Sequence, residues 1–321
     1  MRPASPFRLP ARGSEDGTMR AERGVLSRLL HVEGAPVLVR AWEPGRDRVA
    51  LRAEPLDPRS IAAPGRGAAQ RSSLAADVPV IDHPYGRSIT GTSGDEGSGA
   101  REAGAAELGL ALERMRFALG VDEDLSELYR RFRRDPLLGP RLRRRPHLRP
   151  RRTPWPWEAL AWAVVKQLIE SARAARIQRR IVGRWGRRLG AGREGLRDVP
   201  TPALIAGRAP AELEQLGLAP KRAIALRAIA AEIAAGRCDP AAPTADRRLR
   251  SVREIGPWTV QCLGFYGRGD PDSLPAGDLT YLKLVGRLAG LGRRATVEEV
   301  EELFAPYAPF RGLAAAWMAH M

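Results

Sequence analysis

The chain has 321 residues, enough for two domains and a sizeable core, and carries 53 basic against 37 acidic residues for a formal net charge of +16. Two cysteines, Cys238 and Cys262, exclude a disulfide framework or a four-thiolate cluster, and no apolar run reaches the length of a membrane span or a signal-peptide core. The positive charge is almost all arginine, the lysines being Lys166, Lys221 and Lys283, and it points to an anionic polymer or surface gripped by bidentate contacts.

Residues 1–24 show little periodicity and are expected to be loose. Val25, Leu26, Leu29 and Leu30 fit a short helix or a strand. Residues 37–42 and 47–53 alternate apolar and polar around Glu43-Pro44-Gly45-Arg46 and predict a β-hairpin. Residues 57–103, rich in Pro, Gly, Ser and Ala, have the composition of a disordered insertion and are too long for an ordinary loop. The division expected is residues 1–104, a small β-sheet domain holding that insertion, and residues 105–321, a helical domain. The fold class is mainly α with a small α+β N-terminal part.

From Ala105 the apolar spacing turns helical, with a second short helix from Leu125. Residues 140–154 hold seven arginines and four prolines. They read equally as an extended surface connector and as a strip that tracks phosphates. A helix is expected from Trp155 to Glu170, with Gln167 and Leu168 at its end, and another from Ser171 to Leu189. Shorter helices follow Pro210 and Ala219, the latter closed by Gly236. Leu249–Arg253 ends in Ile255-Gly256, where Gly256 is expected to supply the positive φ of a tight hairpin. Pro257 opens the next helix, which carries Trp258, Val260, Leu263 and Phe265. Leu274–Gly277 is a turn, and Asp278 stands at the N-cap position of a helix running through Leu288. Thr296 and Glu299 form a capping box. Phe310 to His320, with Trp317, closes the chain.

Backbone N–H groups at a hairpin beside a helix start attract a phosphate. A carboxylate on a rigid helix entry, near an aromatic, can face a cation-like reacting group. Taken singly, Asp278 is a cap, Gly256 a turn residue, and Trp258 or Leu168 core. Their order is more informative. The run VREIGPWTVQ…LPAGD resembles the signature of the helix-hairpin-helix base-excision superfamily, and most resembles its DNA-3-methyladenine glycosylase II group. Residues 154–177 and 216–233 are similar to two further helices of that family, and the resemblance extends from about Ala106 onward.

The resemblance implies a monofunctional DNA glycosylase of base-excision repair. It would flip alkylated purines (3-methyladenine type) from double-stranded DNA and hydrolyse the N-glycosidic bond with Asp278 as the catalytic carboxylate. Trp258 would line the base pocket and stack on a cationic base. Gln167, Leu168, Ile255 and Gly256 would contact DNA, Leu168 as the wedge that fills the gap left by the flipped base and Gln167 toward the opposite strand or the wedge backbone. Phe310 or Trp317 would add a second stacking aromatic. The Schiff-base lysine of bifunctional members falls on Trp258, so no lyase activity is expected. No cofactor, metal or membrane is expected, and the protein is expected to be a cytoplasmic, nucleoid-associated monomer. The chain departs from the pattern at Glu254, where the family has the first hairpin glycine, at Arg253, at Glu170 and at Cys262. Alternatives are a non-catalytic DNA-binding protein of the same fold, and a glycosylase for deaminated or oxidised bases.

Overall fold

In the computed structural model, residues 6–45, 48–57, 61–62, 102–189 and 195–319 are described. Strands β1 (Met19–Glu22), β2 (Val25–Val32), β3 (Ala35–Gly45) and β4 (Arg48–Pro55) form an antiparallel meander in that order. The expected 37–53 hairpin is therefore the second half of a larger sheet. Two-residue turns close the first two hairpins. Arg23-Gly24 and Glu33-Gly34 have φ of 49° and 78°, and of 49° and 83°, the paired left-handed residues that match strand twist. Residues 6–24 are not loose: Phe7 is buried, and so are Asp16 and Thr18, whose backbone N–H and hydroxyl donate to the Asp16 carboxylate at 3.0 and 2.8 Å. Most of 57–103 lies outside the described residues; Ile61–Ala62 forms β5.

Helix α1 (Ala105–Leu119) packs Ala111, Met115 and Leu119 against Leu26, Leu30, Val37, Val39 and Val49 of the sheet. The sheet thus takes α1 as its covering layer, and a boundary drawn at residue 104 separates a helix from the surface it buries. Then come α2 (Ser126–Phe132), α3 (Gly139–Arg144), α4 (Pro156–Lys166), α5 (Ser171–Trp185), β6 (Arg188–Leu189), which pairs with β5, α6 (Pro202–Ala206), α7 (Pro210–Gln215), α8 (Pro220–Ala234), α9 (Asp246–Ser251), α10 (Pro257–Cys262), α11 (Leu279–Leu288), α12 (Val297–Phe304) and α13 (Arg311–Ala319). The architecture is mainly helical with a small antiparallel sheet at its N-terminal end.

The arginine-rich segment 140–154 is neither an extended connector throughout nor a free strip. It begins as α3, and its later arginines turn inward. Arg149 donates to the Pro6 carbonyl at 3.0 Å, Arg151 to those of Gly13 at 2.8 Å and Arg12 at 3.0 Å, and Arg152 to Glu123 at 2.6 Å. Arg149 and Arg151 strap the N-terminal segment to the body. Arg143, Arg144 and Arg145 remain exposed.

The helices form two cores. One gathers α4, α5 and α8 with Leu249, Ile255, Val260 and Leu263. The other gathers Leu128, Leu138 and Leu142 with Tyr281, Phe304 and Trp317. Helix α4 is buried from Pro156 to Val165, as expected of a helix apolar all round. A charged cluster joins it to the sheet: Arg28 on β2 pairs with Glu158 at 2.7 Å, Trp162 Nε1 donates to Asp16 at 2.8 Å, and His31 meets Asp198 at 2.9 Å. Between the cores, the helix begun by α10 continues as a π-helical stretch, Leu263–Arg268. Tyr266 in this stretch packs against both cores. Ser273 donates its hydroxyl to the Gln261 carbonyl at 2.9 Å, at the α-to-π junction where helical partners are displaced.

Candidate active site

Helix α4 stops at Lys166, four residues short of expectation. Gln167, at φ −52° and ψ 127°, and Leu168, at φ 53°, occupy the two central positions of a turn of type II geometry. The Ile169 N–H closes it on the Lys166 carbonyl at 3.4 Å. Leu168 is 96% exposed, so the core reading is excluded. A leucine held left-handed and fully in solvent carries about 1 kcal/mol of strain with no burial to offset it. Such outliers cluster at functional positions.

A second tight turn faces it. The Ile255 N–H donates to the Val252 carbonyl at 3.1 Å, and Glu254 between them has φ 72°. The left-handed residue of the hairpin is therefore Glu254 and not Gly256, which is extended at φ −97° and ψ −178°. Ile255 is buried at 4% exposure, with its N–H already used. The Gly256 N–H, by contrast, is without a hydrogen-bond partner among the described residues. Gln167 ties the turns together: its Nε2 donates to the Glu254 carbonyl at 2.8 Å and to Thr259 Oγ1 at 2.9 Å. The side chain reaches the hairpin rather than the wedge backbone.

Asp278 caps α11, its Oδ1 accepting from the Thr280 N–H at 2.8 Å. Its own N–H is held by the Pro275 carbonyl at 2.8 Å, so backbone on both sides fixes the carboxyl, which stays partly open to solvent. Trp258 lies beside it: a methyl group built on Gly277 would sit 3.6 Å from Trp258 Cδ1. Trp258 is half-buried, and its Nε1 has no partner among the described residues. Burial pushes the Cys262 thiol far up, the Asp278 carboxylate adds to the effect, and the Lys166 ammonium opposes it. Burial likewise raises the Tyr266 and Tyr281 hydroxyls, which interact with each other and feel both Cys262 and Asp278. Trp258, Cys262, Tyr266, Asp278 and Tyr281 therefore lie in one neighbourhood, with Lys166 near it.

Sequence reasoning missed Tyr266, Tyr281 and Lys166. The signal was present for Tyr266, which follows Trp258 and Cys262 at successive four-residue steps on one helix face, and for Tyr281, three residues beyond Asp278. The terminal aromatics do not join this group. Trp317 is 1% exposed in the second core. Phe310 lines a different cleft of about 390 Å³ with Phe117, Arg152 and Gly269, whose walls include neither Asp278 nor Trp258. Among the described residues no group of three or more His, Cys, Asp or Glu is placed to hold a metal ion, and no helix is long and apolar enough to cross a membrane.

Residues 161–309, which hold both turns, Trp258 and Asp278, match the model described as HhH-GPD superfamily base excision DNA repair protein. Over that stretch the chain is similar to a domain of the superfamily. It is 26% identical over 209 residues to a DNA-3-methyladenine glycosylase of Bacillus subtilis, covering 62% of this chain and 67% of the relative. A 3-methyladenine DNA-glycosylase from Archaeoglobus fulgidus shares the fold with a TM-score of 0.68 at 20% identity, covering 98% of this chain and 91% of that one. An 8-oxoguanine glycosylase/lyase from Clostridium acetobutylicum shares it with a TM-score of 0.60 at 12% identity, covering 94% and 96%.

Proposed function

We propose that the protein is a monofunctional glycosylase that extrudes alkylated purines of the 3-methyladenine type from double-stranded DNA and hydrolyses their N-glycosidic bond. The observation that carries this reading is Asp278, backbone-fixed at the entry of α11 beside the Trp258 indole. As the bond to the base breaks, its electron pair leaves with the base and positive charge gathers on the sugar. A carboxylate held without reorganisation stabilises that charge, and takes the proton of the water that adds to the anomeric carbon.

An alkylated purine is already cationic, so it departs without a strong acid and stacks well on an indole. It also unstacks from the duplex more cheaply than an intact base. Leu168, exposed and strained, is the wedge for the vacated space. Gly256 offers a free N–H to a backbone phosphate beside a helix start. The formal charge of +16 supplies the sequence-independent attraction. The protein acts as a monomer, and the absence of a lysine at position 258 supports base release without strand cleavage.

The test is incubation with duplexes each bearing one lesion, followed by separate measurement of free base and of strand breaks before and after alkali. Release of an alkylated purine with breaks only after alkali is expected. Breaks without alkali, or borohydride trapping of a covalent adduct that maps to Lys166, would contradict the monofunctional reading. Release of only deaminated or oxidised bases would contradict the substrate class.

A further inference from the structure

We propose that Lys166 is a further DNA-binding residue of the site, its ammonium taking one of the phosphates that flank the extruded nucleotide. The inference rests on the glycosylase reading above and deepens it, adding a contact to the strand next to the reacting sugar.

Placement is the first ground. Helix α4 runs antiparallel to the helix that starts as α10 and continues to Arg268. At one end Gln167 Nε2 donates to Thr259 Oγ1 at 2.9 Å. At the other, a methyl group built on Gly267 would lie 2.8 Å from Ala159 Cβ and 3.1 Å from Pro156 Cα. Ala159 and Lys166 are seven residues apart on α4, close to two turns, so they share one face. Lys166 thus ends the face that packs on the second helix, at the level of Thr259 and its neighbour Trp258. Trp258 lies against Gly277, which precedes Asp278. In the other direction, the Lys166 carbonyl closes the turn that holds Leu168 left-handed. The lysine therefore stands between the exposed leucine and the carboxylate.

Availability is the second. Lys166 is exposed, and among the described residues its ammonium has no hydrogen-bond or ion-pair partner. Glu170 follows four positions on, the spacing of a helical ion pair, but the Gln167-Leu168 turn breaks the helix between them. The buried Cys262 thiol feels the Lys166 charge together with that of Asp278, in keeping with the packing of α4 on α10.

Charge balance is the third. A strand that passes from the Leu168 wedge to Asp278 brings its phosphates toward that carboxylate and toward Glu254, and like charges repel. A cation on the path offsets the repulsion. An ammonium on a flexible four-carbon stem can follow a phosphate as the nucleotide rotates. The contact is the same before and during bond cleavage, so it strengthens binding and leaves the chemical step unchanged. A cation in the last turn of α4 also suits the helix dipole, but that role distinguishes no phosphate from another.

The test uses duplexes with a tetrahydrofuran abasic analogue, unmodified or with a single neutral methylphosphonate placed in turn at each phosphate near it. Affinity is measured by titration for wild type, Lys166→Met and Lys166→Arg. Wild type is expected to lose about fivefold at one of the phosphates that flank the analogue. Lys166→Met is expected to bind the unmodified duplex about fivefold more weakly, to lose nothing further at that phosphate, and to show a salt slope smaller by about one contact. Lys166→Arg should keep the sensitivity to that phosphate. Thermal melting of both variants should be unchanged, and base release from saturated enzyme should stay within about twofold of wild type. A methylphosphonate pattern in Lys166→Met identical to that of wild type, or one that differs only at phosphates beyond the flanking pair, would overturn the assignment while leaving the glycosylase reading intact. A wild type with no preference for the abasic duplex relative to plain duplex would overturn that reading itself.

Discussion

Gln167 Nε2 donates to the Glu254 carbonyl at 2.8 Å, across 87 positions of sequence. The bond joins two tight turns that each hold a non-glycine residue left-handed, Leu168 at φ 53° and Glu254 at φ 72°. The Leu168 turn and the Glu254 turn are thereby one braced unit. Gln167→Leu removes the donor and strands the Glu254 carbonyl and Thr259 Oγ1. It should cost about 1–2 kcal/mol in denaturant unfolding and weaken binding to abasic-site DNA about tenfold, since both turns lose their common brace. Unchanged binding, measured by titration, would separate the two turns functionally.

Leu168→Ala discriminates sharply between packing and contact. A buried leucine truncated to alanine costs 2–5 kcal/mol, but Leu168 is 96% exposed. Its truncation should leave stability within about 0.5 kcal/mol. Affinity for a duplex with an abasic analogue should fall about tenfold more than affinity for plain duplex. A loss common to both duplexes would remove the wedge role.

Glu254 places a carboxylate beside the Gly256 N–H, the group proposed to take a phosphate. Glu254→Gly relieves about 1 kcal/mol of left-handed strain but adds chain entropy of about 0.5–1 kcal/mol to the unfolded state. Stability should therefore change by less than about 1 kcal/mol. DNA affinity should rise severalfold at low salt, with the gain shrinking as salt screens the removed charge. A fall in affinity would indicate that the carboxylate is needed at the interface.

The buried cluster between sheet and α4 gives the fold a pH dependence of known sign. Burial pushes Glu158 up from 4.5 to about 8, Arg28 opposing and the Asp16 and Asp198 carboxylates adding to the rise. Between those values the folded state binds more protons at this site than the unfolded chain, so stability falls as pH rises through the window. Glu158→Gln should flatten that fall, with chemical denaturation at pH 5.5, 7 and 8.5 as the measurement. A wild-type stability that rises across the window by this group would contradict the sign.

Much of this site was readable from residue order because its parts are local. The cap at Asp278, Pro257 opening α10, and the Thr296 capping box depend on neighbours within three residues. The hairpin glycine was misassigned because proximity to a turn does not fix which residue takes positive φ; the turn closes between Val252 and Ile255, which leaves Glu254 at the left-handed position. Helix α4 was overrun by four residues because Gln167 and Leu168 are acceptable helix formers, and only a long-range bond to the hairpin favours the turn. Strand β1 was missed and β2 was left between helix and strand although Arg23-Gly24 and Glu33-Gly34 are short hairpin turns, because the arms around them carry arginines that are buried only in partnership, as Arg28 is with Glu158. Tyr266 and Tyr281 meet only in the folded chain, between two cores.

Asp278→Asn is the substitution on which the whole reading turns. Asparagine caps a helix about as well as aspartate, so α11 and the melting transition should be retained while the negative charge facing the sugar is lost. Single-turnover release of alkylated purines from methylated duplex DNA should fall at least about a hundredfold, with binding to an abasic analogue preserved within a few fold. Release at the wild-type rate by Asp278→Asn would contradict the catalytic role of this carboxylate.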